Sequence, residues 1–438
     1  MNSLSAKLLH SLAPWRDSRT WRVAFSGGLD STVLLHLLVD LAQQHRLPPI
    51  AAVHVHHGIQ AVAEAWPKHC QAVCDALGLP LQVIDVQVPG GASLEQAARE
   101  ARYGAFARLT ASNELLLTAQ HRDDQAETLL FRLLRGAGVR GLSAMPSVRP
   151  LGGGQLLRPL LDVPRAELER YATEHRLSWV EDPSNADHQY SRNYLRHQVM
   201  PALTARWPQA ALSMSRSAAH LSEAQGLLDE LAIMDLEAAR TLSDFPWLGL
   251  PSLAIEPLQG LSAARQRNAL SHWLSRFGRL PDADHWRGWD NLRDAAVAGR
   301  PIWRLADGEL HRAAGRIWWL SGAWLQAVDG RLPWSCPQSP LQLPGNGQVA
   351  LLGTPPTGSL HVRYRQGGEV VQMAGRGHRD LKRLLNESGL PGFVRGRLPL
   401  LYQDERLLAV ANLPALAANP RAGWQLQWQP PNSDQGLS

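Results

Sequence analysis

The chain has 438 residues, which is enough for about three domains, and it is 45% hydrophobic and 19% charged, as in ordinary globular proteins. We see no apolar run near the ~20 residues that span a bilayer and no signal-peptide pattern, and three cysteines imply no disulfide framework. These features exclude secreted mini-proteins and membrane proteins and predict a cytoplasmic protein.

The net charge of +5 comes almost entirely from arginine, because lysine occurs only at Lys7, Lys68 and Lys382. Arginine suits phosphate and base edges, which favours a nucleic-acid partner. A GC-rich genome produces the same excess of arginine. The positions of the charges are therefore more informative than their number.

The first 140 residues alternate strand-like and helix-like segments. The predicted strands cover 21–25, 50–55, 81–86 and 114–119, and the predicted helices cover 29–43, 62–77, 93–109 and 123–135. This alternation predicts an α/β fold with a doubly wound parallel sheet. Ligands of such folds bind beyond the carboxyl ends of the strands, where three polar clusters fall: Ser26–Ser31, His54–Gly58 and His121–Glu127.

The remaining chain predicts two further domains. We expect helices over 164–175, 201–240, 261–277, 285–297 and 379–388, with short strands over 302–324. Eleven of the sixteen tryptophans lie beyond residue 217, and most of them are expected in the core. The predicted domains are an α/β domain (1–216), a mainly helical domain (217–332), a linker (333–347) and a small α+β domain (348–438).

The segment Ser26-Gly-Gly-Leu-Asp-Ser31 lies between a predicted strand and a predicted helix. Two glycines let the backbone turn and bring its N–H groups close to an anion, and the helix N-terminus adds further donors. Asp30 is a candidate Mg²⁺ ligand. The segment lacks the lysine of a Walker A loop and the spacing of a Rossmann fingerprint. It predicts a phosphate-binding loop.

This segment resembles the PP-loop of the N-type ATP pyrophosphatases. That group binds ATP in a doubly wound fold, cleaves between the α- and β-phosphates and forms adenylated intermediates. Within it, the chain most resembles the lysidine synthases. The motifs that narrow the choice are His54–Gly58, His121–Glu127, Glu181–Asn185 with Arg192-Asn193 and Arg196, Arg376–Arg383, Gly389–Pro391 and Arg397–Leu400.

The resemblance implies a ligase that joins free L-lysine to C2 of the wobble cytidine in the CAU anticodon of isoleucine tRNA. The cytidine is first adenylated by ATP, with Mg²⁺ as cofactor. Lysidine changes decoding from AUG to AUA and charging from Met to Ile. ATP, lysine and the tRNA are the expected partners, no membrane is expected, and a homodimer is left open.

We assign candidate roles on this basis. The catalytic candidates are Asp30, His121, Asp124, Glu127 and Arg192. The nucleotide-binding candidates are Ser26, Gly27, Gly28, Leu29, Asp30, Ser31, His54 and His56. Asp30 and Asp124 are the metal candidates. The tRNA-binding candidates are Arg196, Arg376, Arg379, Lys382, Arg383 and Arg397. Lysine must lose a proton before it attacks, so a carboxylate or histidine at residues 121–127 fits the chemistry.

Two other functions stay open. One is a PP-loop enzyme that modifies tRNA with another nucleophile, although the chain lacks the C-x-x-C pair that suits sulfur transfer. The other is an inactive RNA-binding relative, which the complete loop at residues 26–31 disfavours. A zinc site at His54, His56 and His57 is disfavoured because a structural zinc needs four ligands and no suitably spaced cysteine pair is present.

Overall fold

The computed structural model describes residues 3–58, 61–88, 94–187, 189–282, 284–296, 299–373, 377–419 and 423–432. It divides into two compact units, Met1–Gly226 and Leu227–Ser438. No helix among these residues is long and apolar enough to cross a membrane. The predicted bounds of the three domains and the linker stay predictions.

The first unit is built on a six-stranded sheet. Its strands are β1 (Thr20–Ala24), β2 (Ile50–His56), β3 (Leu81–Asp85), β4 (Glu114–Leu117), β5 (Val148–Leu151) and β6 (Gly154–Leu157). Their order is β3-β2-β1-β4-β6-β5, and every neighbouring pair is parallel except β5 with β6. The strand order reverses between β1 and β4, which is where ligands bind in doubly wound sheets. The predicted fold class is confirmed.

Helices surround this sheet. They are α1 (Ser3–Leu12), α2 (Leu29–Gln44), α3 (Trp66–Leu77), α4 (Leu94–Leu109), α5 (Arg122–Leu133), α6 (Val139–Leu142), α7 (Arg165–Glu174), α8 (Ser191–Tyr194), α9 (Met200–Arg206) and α10 (Ala210–Glu237). The apolar face of α2 packs against β1 and α1 through fully buried residues that include Leu34, Leu38 and Trp21. This packing fixes the start of α2, and with it the loop that precedes the helix. Ser93, predicted to cap α4, lies outside the described residues.

The second unit begins within α10 and contains both helices and sheets. Its helices are α11 (Ile255–Gln259), α12 (Ala263–Leu274), α13 (Arg287–Asp294), α14 (Leu381–Glu387) and α15 (Gly392–Arg395). A four-stranded antiparallel sheet accompanies α11–α13: β7 (Ser252–Ala254), β8 (Ile302–Arg304), β9 (Glu309–Ala313) and β10 (Arg316–Leu320). The region predicted as mainly helical therefore carries a sheet too.

The rest of the second unit is rich in strands. They are β11 (Arg331–Pro333), β12 (Leu341–Gln342), β13 (Gln348–Gly353), β14 (Leu360–Arg363), β15 (Val370–Met373), β16 (Gly377–Asp380), β17 (Leu400–Gln403), β18 (Arg406–Val410) and β19 (Trp424–Gln429). The predicted linker contains the buried side chains of Leu343 and Asn346, so it is a packed segment. Trp289, Trp318 and Trp428 are fully buried, as expected of core tryptophans.

Candidate active site

The polar clusters predicted from the sequence meet at one edge of the first sheet. The loop 26–28 follows β1, and residues 118–121 follow β4, its neighbour at the reversal of strand order. From these segments Ser26, Gly28 and residues 118–120 line a cleft of about 1240 Å³, together with His54 and His56 from β2. Residues 179–186 form another part of its wall.

The loop after β1 is held in shape by its own hydroxyl groups. The Ser26 and Ser31 oxygens lie 3.0 Å apart, and Ser31 Oγ donates to the Gly28 carbonyl at 3.0 Å. Gly27 has a φ of +82°, and a Cβ there would meet Cys70 Sγ at 3.0 Å. The Gly27 carbonyl accepts a hydrogen bond from Val180 N at 2.9 Å. The loop is therefore rigid, with the N-terminus of α2 directed at the cleft.

Asp30 stands in the first turn of α2 and lines the cleft. Its Oδ1 is buried, and no described residue gives it a hydrogen bond. Its Oδ2 lies 3.7 Å from His121 Nε2. A buried carboxylate oxygen without a partner at an anion-binding loop has the chemistry of a Mg²⁺ ligand.

His121 joins the end of β4 to α5. Its Nδ1 accepts from Asp124 N at 3.4 Å, and Asp124 Oδ2 accepts from His121 N at 3.1 Å, which forms a capping box. His121 Nε2 faces Asp124 Oδ2 at 3.4 Å. Burial lowers the pKa of His121, but Asp30, Asp124 and Asp123 outweigh it and raise this pKa above 6.5. Burial opposes ionisation of Asp124, yet His121 and two arginines hold its pKa below 3.8.

Glu127 lies one turn further along α5, only 3% exposed. Arg196 binds it through two hydrogen bonds of 2.7 and 2.9 Å and donates to Asp124 Oδ1 at 2.8 Å. Arg192 is more exposed, with Nε 3.6 Å from Glu127 Oε2 and a hydrogen bond of 3.1 Å to Thr128 Oγ1. Arg196, expected to bind tRNA, instead forms the floor of the cleft. Its contact with tRNA stays a prediction.

The two arginines are placed by an unusual turn of helix. Residues Leu195–Val199 form a π-helix between α8 and α9. Such turns are rare and concentrate at functional sites. Asn193 anchors α8 by donating to the carbonyls of Ser184 and Asp187 at 2.7 and 2.9 Å. The motif 181–185 and the arginines are thus one connected wall of the cleft.

The histidines that end β2 differ in their surroundings. His54 is 3% exposed, and its Nδ1 lies 2.9 Å from the Phe25 carbonyl and 3.4 Å from Cys70 Sγ. Burial lowers the pKa of His54, and burial together with Arg102 lowers the pKa of His57 to about 4. These rings are therefore neutral at physiological pH. His54 and His56 lie on the wall of the cleft, which is compatible with contact to a nucleotide base.

An arginine cluster at the edge of the cleft was missed from the sequence. The guanidinium groups of Arg99 and Arg149 lie 4.8 and 4.9 Å from the Tyr103 ring centre. Arg158 is 4% exposed, and its Nε has no hydrogen-bond partner among the described residues. Burial raises the pKa of Tyr103, but Arg99, Arg158 and Arg102 outweigh burial and lower this pKa. The signal available was the closely spaced Arg99, Arg102 and Tyr103 on α4.

The basic residues predicted to bind tRNA in the second unit are distributed differently from the expectation. Arg379, Lys382 and Arg383 are exposed, but Arg379 lies on β16 and α14 starts only at Leu381. They do not share one helix face, because Asp380 caps α14 by accepting from Arg383 N at 2.9 Å. Arg376 lies outside the described residues.

Arg397 does not fit the expected role of a tRNA contact. It is 6% exposed. Its guanidinium donates to the Gly345 carbonyl at 2.6 Å, to Asn346 Oδ1 at 3.1 Å and to the Gln326 carbonyl. These internal acceptors use the N–H donors of the guanidinium, so Arg397 holds the segment around residues 326–346 in place.

Comparison with known proteins agrees with this geometry. Family models match along the chain: the PP-loop domain over residues 1–203, the TilS substrate binding domain over 253–318 and the TilS substrate C-terminal domain over 360–428. The chain is 65% identical over 434 residues to a tRNA(Ile)-lysidine synthase of Pseudomonas fluorescens, covering 99% of this chain and 98% of that protein. It is 62% identical to the Pseudomonas aeruginosa tRNA(Ile)-lysidine synthase, covering 99% of each.

This chain belongs to the tRNA(Ile)-lysidine synthase family. The resemblance read from the sequence is confirmed over its full length. The family's PP-loop domain coincides with the unit that holds the cleft. The two substrate domains of the lysidine synthases both fall in the second unit.

Proposed function

We propose that this chain ligates free L-lysine to C2 of the wobble cytidine in the CAU anticodon of isoleucine tRNA, through an adenylated cytidine made with ATP. The observation that carries the proposal is that the PP-loop, Asp124 and Arg196 line one cleft, with Glu127 buried behind Arg196. Its volume of about 1240 Å³ exceeds the ~300–1,000 Å³ of a typical small-ligand site. A second reactant therefore has room beside the nucleotide.

The loop 26–31 would bind the phosphates of ATP. Backbone N–H groups at the start of α2 supply fixed donors. The contact between the Ser26 and Ser31 hydroxyls keeps the turn rigid. Asp30, with Asp124 nearby, would hold Mg²⁺, which neutralises phosphate charge when bound. The backbone donors and Asp30 orient the α-phosphate toward the cytidine oxygen that attacks it.

The lysine would lie between α5 and α8. Arg192 is paired less closely than Arg196, so its guanidinium is the candidate partner for the α-carboxylate of lysine. Asp124 stays ionised and attracts the side-chain ammonium. The neighbouring His121, whose pKa is raised above 6.5, is the better-matched acceptor for the proton that the amine must lose before it attacks C2.

The arginine cluster would bind the RNA backbone beside the target base. Arg99 and Arg149 reach the surface and form no ion pair with a carboxylate in the described parts of the chain, so their charge is available to a phosphate, whereas Arg158 is buried and donates to the Pro146 carbonyl at 2.6 Å. Tyr103 presents a ring at the cleft on which a base can stack. Alanine at Arg149 should raise the KM for tRNA and leave the KM for ATP unchanged.

Sulfur transfer is disfavoured by the state of the cysteines. Burial raises the pKa of Cys70 to about 12 and that of Cys74 to about 11, so both stay as thiols at neutral pH. Cys336 is exposed, but it lies in the second unit, outside the residues of the cleft. Unpaired cysteines also support a cytoplasmic location. Whether the chain forms a homodimer is a separate question, which light scattering tests.

The deciding experiment mixes the full chain with Mg-ATP, labelled lysine and bacterial tRNA and counts label that survives mild alkali. Alkali removes ester-linked aminoacyl groups, so stable and ATP-dependent label means that lysine has joined a base. RNA-dependent pyrophosphate release without stable label would indicate another nucleophile. Neither signal, with tRNA that a related synthase accepts, would indicate an RNA-binding protein without activity.

A further inference from the structure

A second group of metal-ligand side chains lies outside the cleft, where α2 packs on α7. His36 and Asp40 are one turn apart on α2, and His175 follows the last residue of α7. One ligand atom from each residue lies within 4.8 Å of the other two. We propose that these three residues bind a zinc-type transition-metal ion that joins α2 to α7.

The donor set favours this class of metal. Two imidazoles and one carboxylate suit Zn²⁺, Co²⁺ or Ni²⁺, whereas Mg²⁺ prefers oxygen ligands only. In tetrahedral zinc sites with bonds of about 2.0–2.1 Å, ligand atoms lie roughly 3.3 Å apart. His36 Nδ1 and Asp40 Oδ2 are 3.6 Å apart, and the three ligand atoms lie within 4.8 Å of one another, so side-chain rotation has to bring the atoms closer when an ion binds. Water takes the fourth position, which makes the ion exchangeable.

Tyr171 contacts the same ligand atoms. Its hydroxyl donates to Asp40 Oδ2 at 3.0 Å and lies 2.9 Å from His36 Nδ1. An ion bound to these two atoms would replace the hydroxyl there. The Tyr171 ring stacks on His175 with centres 4.1 Å apart, and the His36 and His175 rings are 5.1 Å apart, so the three ligand side chains stay grouped.

The site would stabilise the catalytic unit. α2 begins at the PP-loop, and α7 places Arg165 and Glu169 on the cleft wall. An ion that binds only the folded state raises the midpoint of thermal unfolding, because at a free concentration c it stabilises that state by RT ln(1 + c/Kd). Because the readout is metal binding, the proposal stands or fails independently of the lysine ligation proposed above.

The test titrates the chelator-treated full chain with Zn²⁺ by calorimetry in excess Mg²⁺, and repeats the titration with Co²⁺ to record its visible spectrum. We expect one bound equivalent, a tetrahedral Co²⁺ spectrum and a Zn²⁺-dependent rise in Tm. H175Q and H36Q should lose all three, and Y171F should bind at least as tightly as the unaltered chain, because it removes the hydroxyl that competes for the ligand atoms. H10Q, with an exposed histidine on α1, is the matched control and should bind as the unaltered chain does.

His175 is exposed, so H175Q keeps the test decisive should H36Q fold poorly. Zn²⁺ binding that is unchanged in H175Q, or no binding of Zn²⁺ and Co²⁺ by the unaltered chain, would overturn the proposal.

Discussion

Arg196, which lines the cleft, forms a bidentate ion pair with the buried Glu127, with Nε–Oε1 at 2.7 Å and Nη2–Oε2 at 2.9 Å. Asp124 shares the same guanidinium at 2.8 Å. One arginine therefore compensates two carboxylates that are almost fully buried. Arg192 approaches Glu127 only to 3.6 Å and keeps more of its side chain in solvent.

This difference predicts separate effects for two similar substitutions. R196M leaves buried carboxylates without their main partner and should lower the free energy of unfolding by about 3–5 kcal/mol. R192M should cost less than about 1 kcal/mol, because its pair is longer and partly exposed. R192M should nevertheless raise the KM for lysine at least tenfold. Urea unfolding and lysine incorporation into tRNA measure the two effects.

R192K provides the control for charge, since it keeps the cation and loses the planar fork. Partial recovery of the KM for lysine in R192K fits a carboxylate partner. Equal loss of stability in R196M and R192M would contradict the division between a structural and a ligand-binding arginine.

The two loop glycines should also separate stability from binding. G27A puts a side chain at a φ of +82°, with its Cβ at 3.0 Å from Cys70 Sγ and 3.2 Å from Val180 Cγ2. The backbone strain alone costs about 1–3 kcal/mol. In G28A the nearest atom to the new Cβ is Ser26 Oγ at 3.5 Å, an ordinary contact, so folding should be nearly unchanged. Because Gly28 lines the cleft, G28A should weaken ATP binding.

Thermal unfolding with and without ATP checks this pair. We expect a lower Tm for G27A, and for G28A a normal Tm that ATP raises less than in the unaltered chain. A G28A chain that ATP stabilises fully would show that the phosphates do not approach the loop at this residue.

The sequence predicted the catalytic sheet well because each element is set by local patterns. The predicted helix 29–43 corresponds to Leu29–Gln44, and the predicted strand 50–55 to Ile50–His56. The partners of charged side chains were harder to predict. Arg196 and Arg397 both turn inward, because their acceptors come from segments distant in sequence. The π-helix at Leu195–Val199 has no local sequence pattern that we recognised.

His121 should make stability depend on pH. Its folded-state pKa is raised above 6.5, so its imidazolium contributes stability that is complete below 6.5 and lost as the pH rises through the folded pKa. H121N removes the titrating group and keeps a side chain that caps a helix well. The stability advantage of the unaltered chain over H121N should therefore shrink as the pH rises.

Urea unfolding of both chains, in a pH series that starts below 6.5 and rises above it, measures this difference in stability. H10N, which replaces an exposed histidine, is the control. A difference between the unaltered chain and H121N that is constant with pH would mean that His121 has the same pKa in the folded and unfolded chains. The roles of Asp30 and Asp124 as its charge partners would then need revision.

Lys382 and Arg397 should respond differently to loss of charge, although both were predicted from the sequence to contact tRNA. Lys382 is exposed, so K382A should fold normally, weaken tRNA binding and reduce the slope of log affinity against log salt by about 1 if it meets one phosphate. R397M leaves the Gly345 and Gln326 carbonyls without their donor, which costs about 1–3 kcal/mol of stability. The salt slope of R397M should stay unchanged, because a buried guanidinium releases no counterions from RNA.

Filter binding across a salt series, with urea unfolding of the same samples, distinguishes the two roles. A reduced salt slope in R397M at normal stability would restore Arg397 to the RNA surface, whereas an unchanged slope in K382A would remove Lys382 from it.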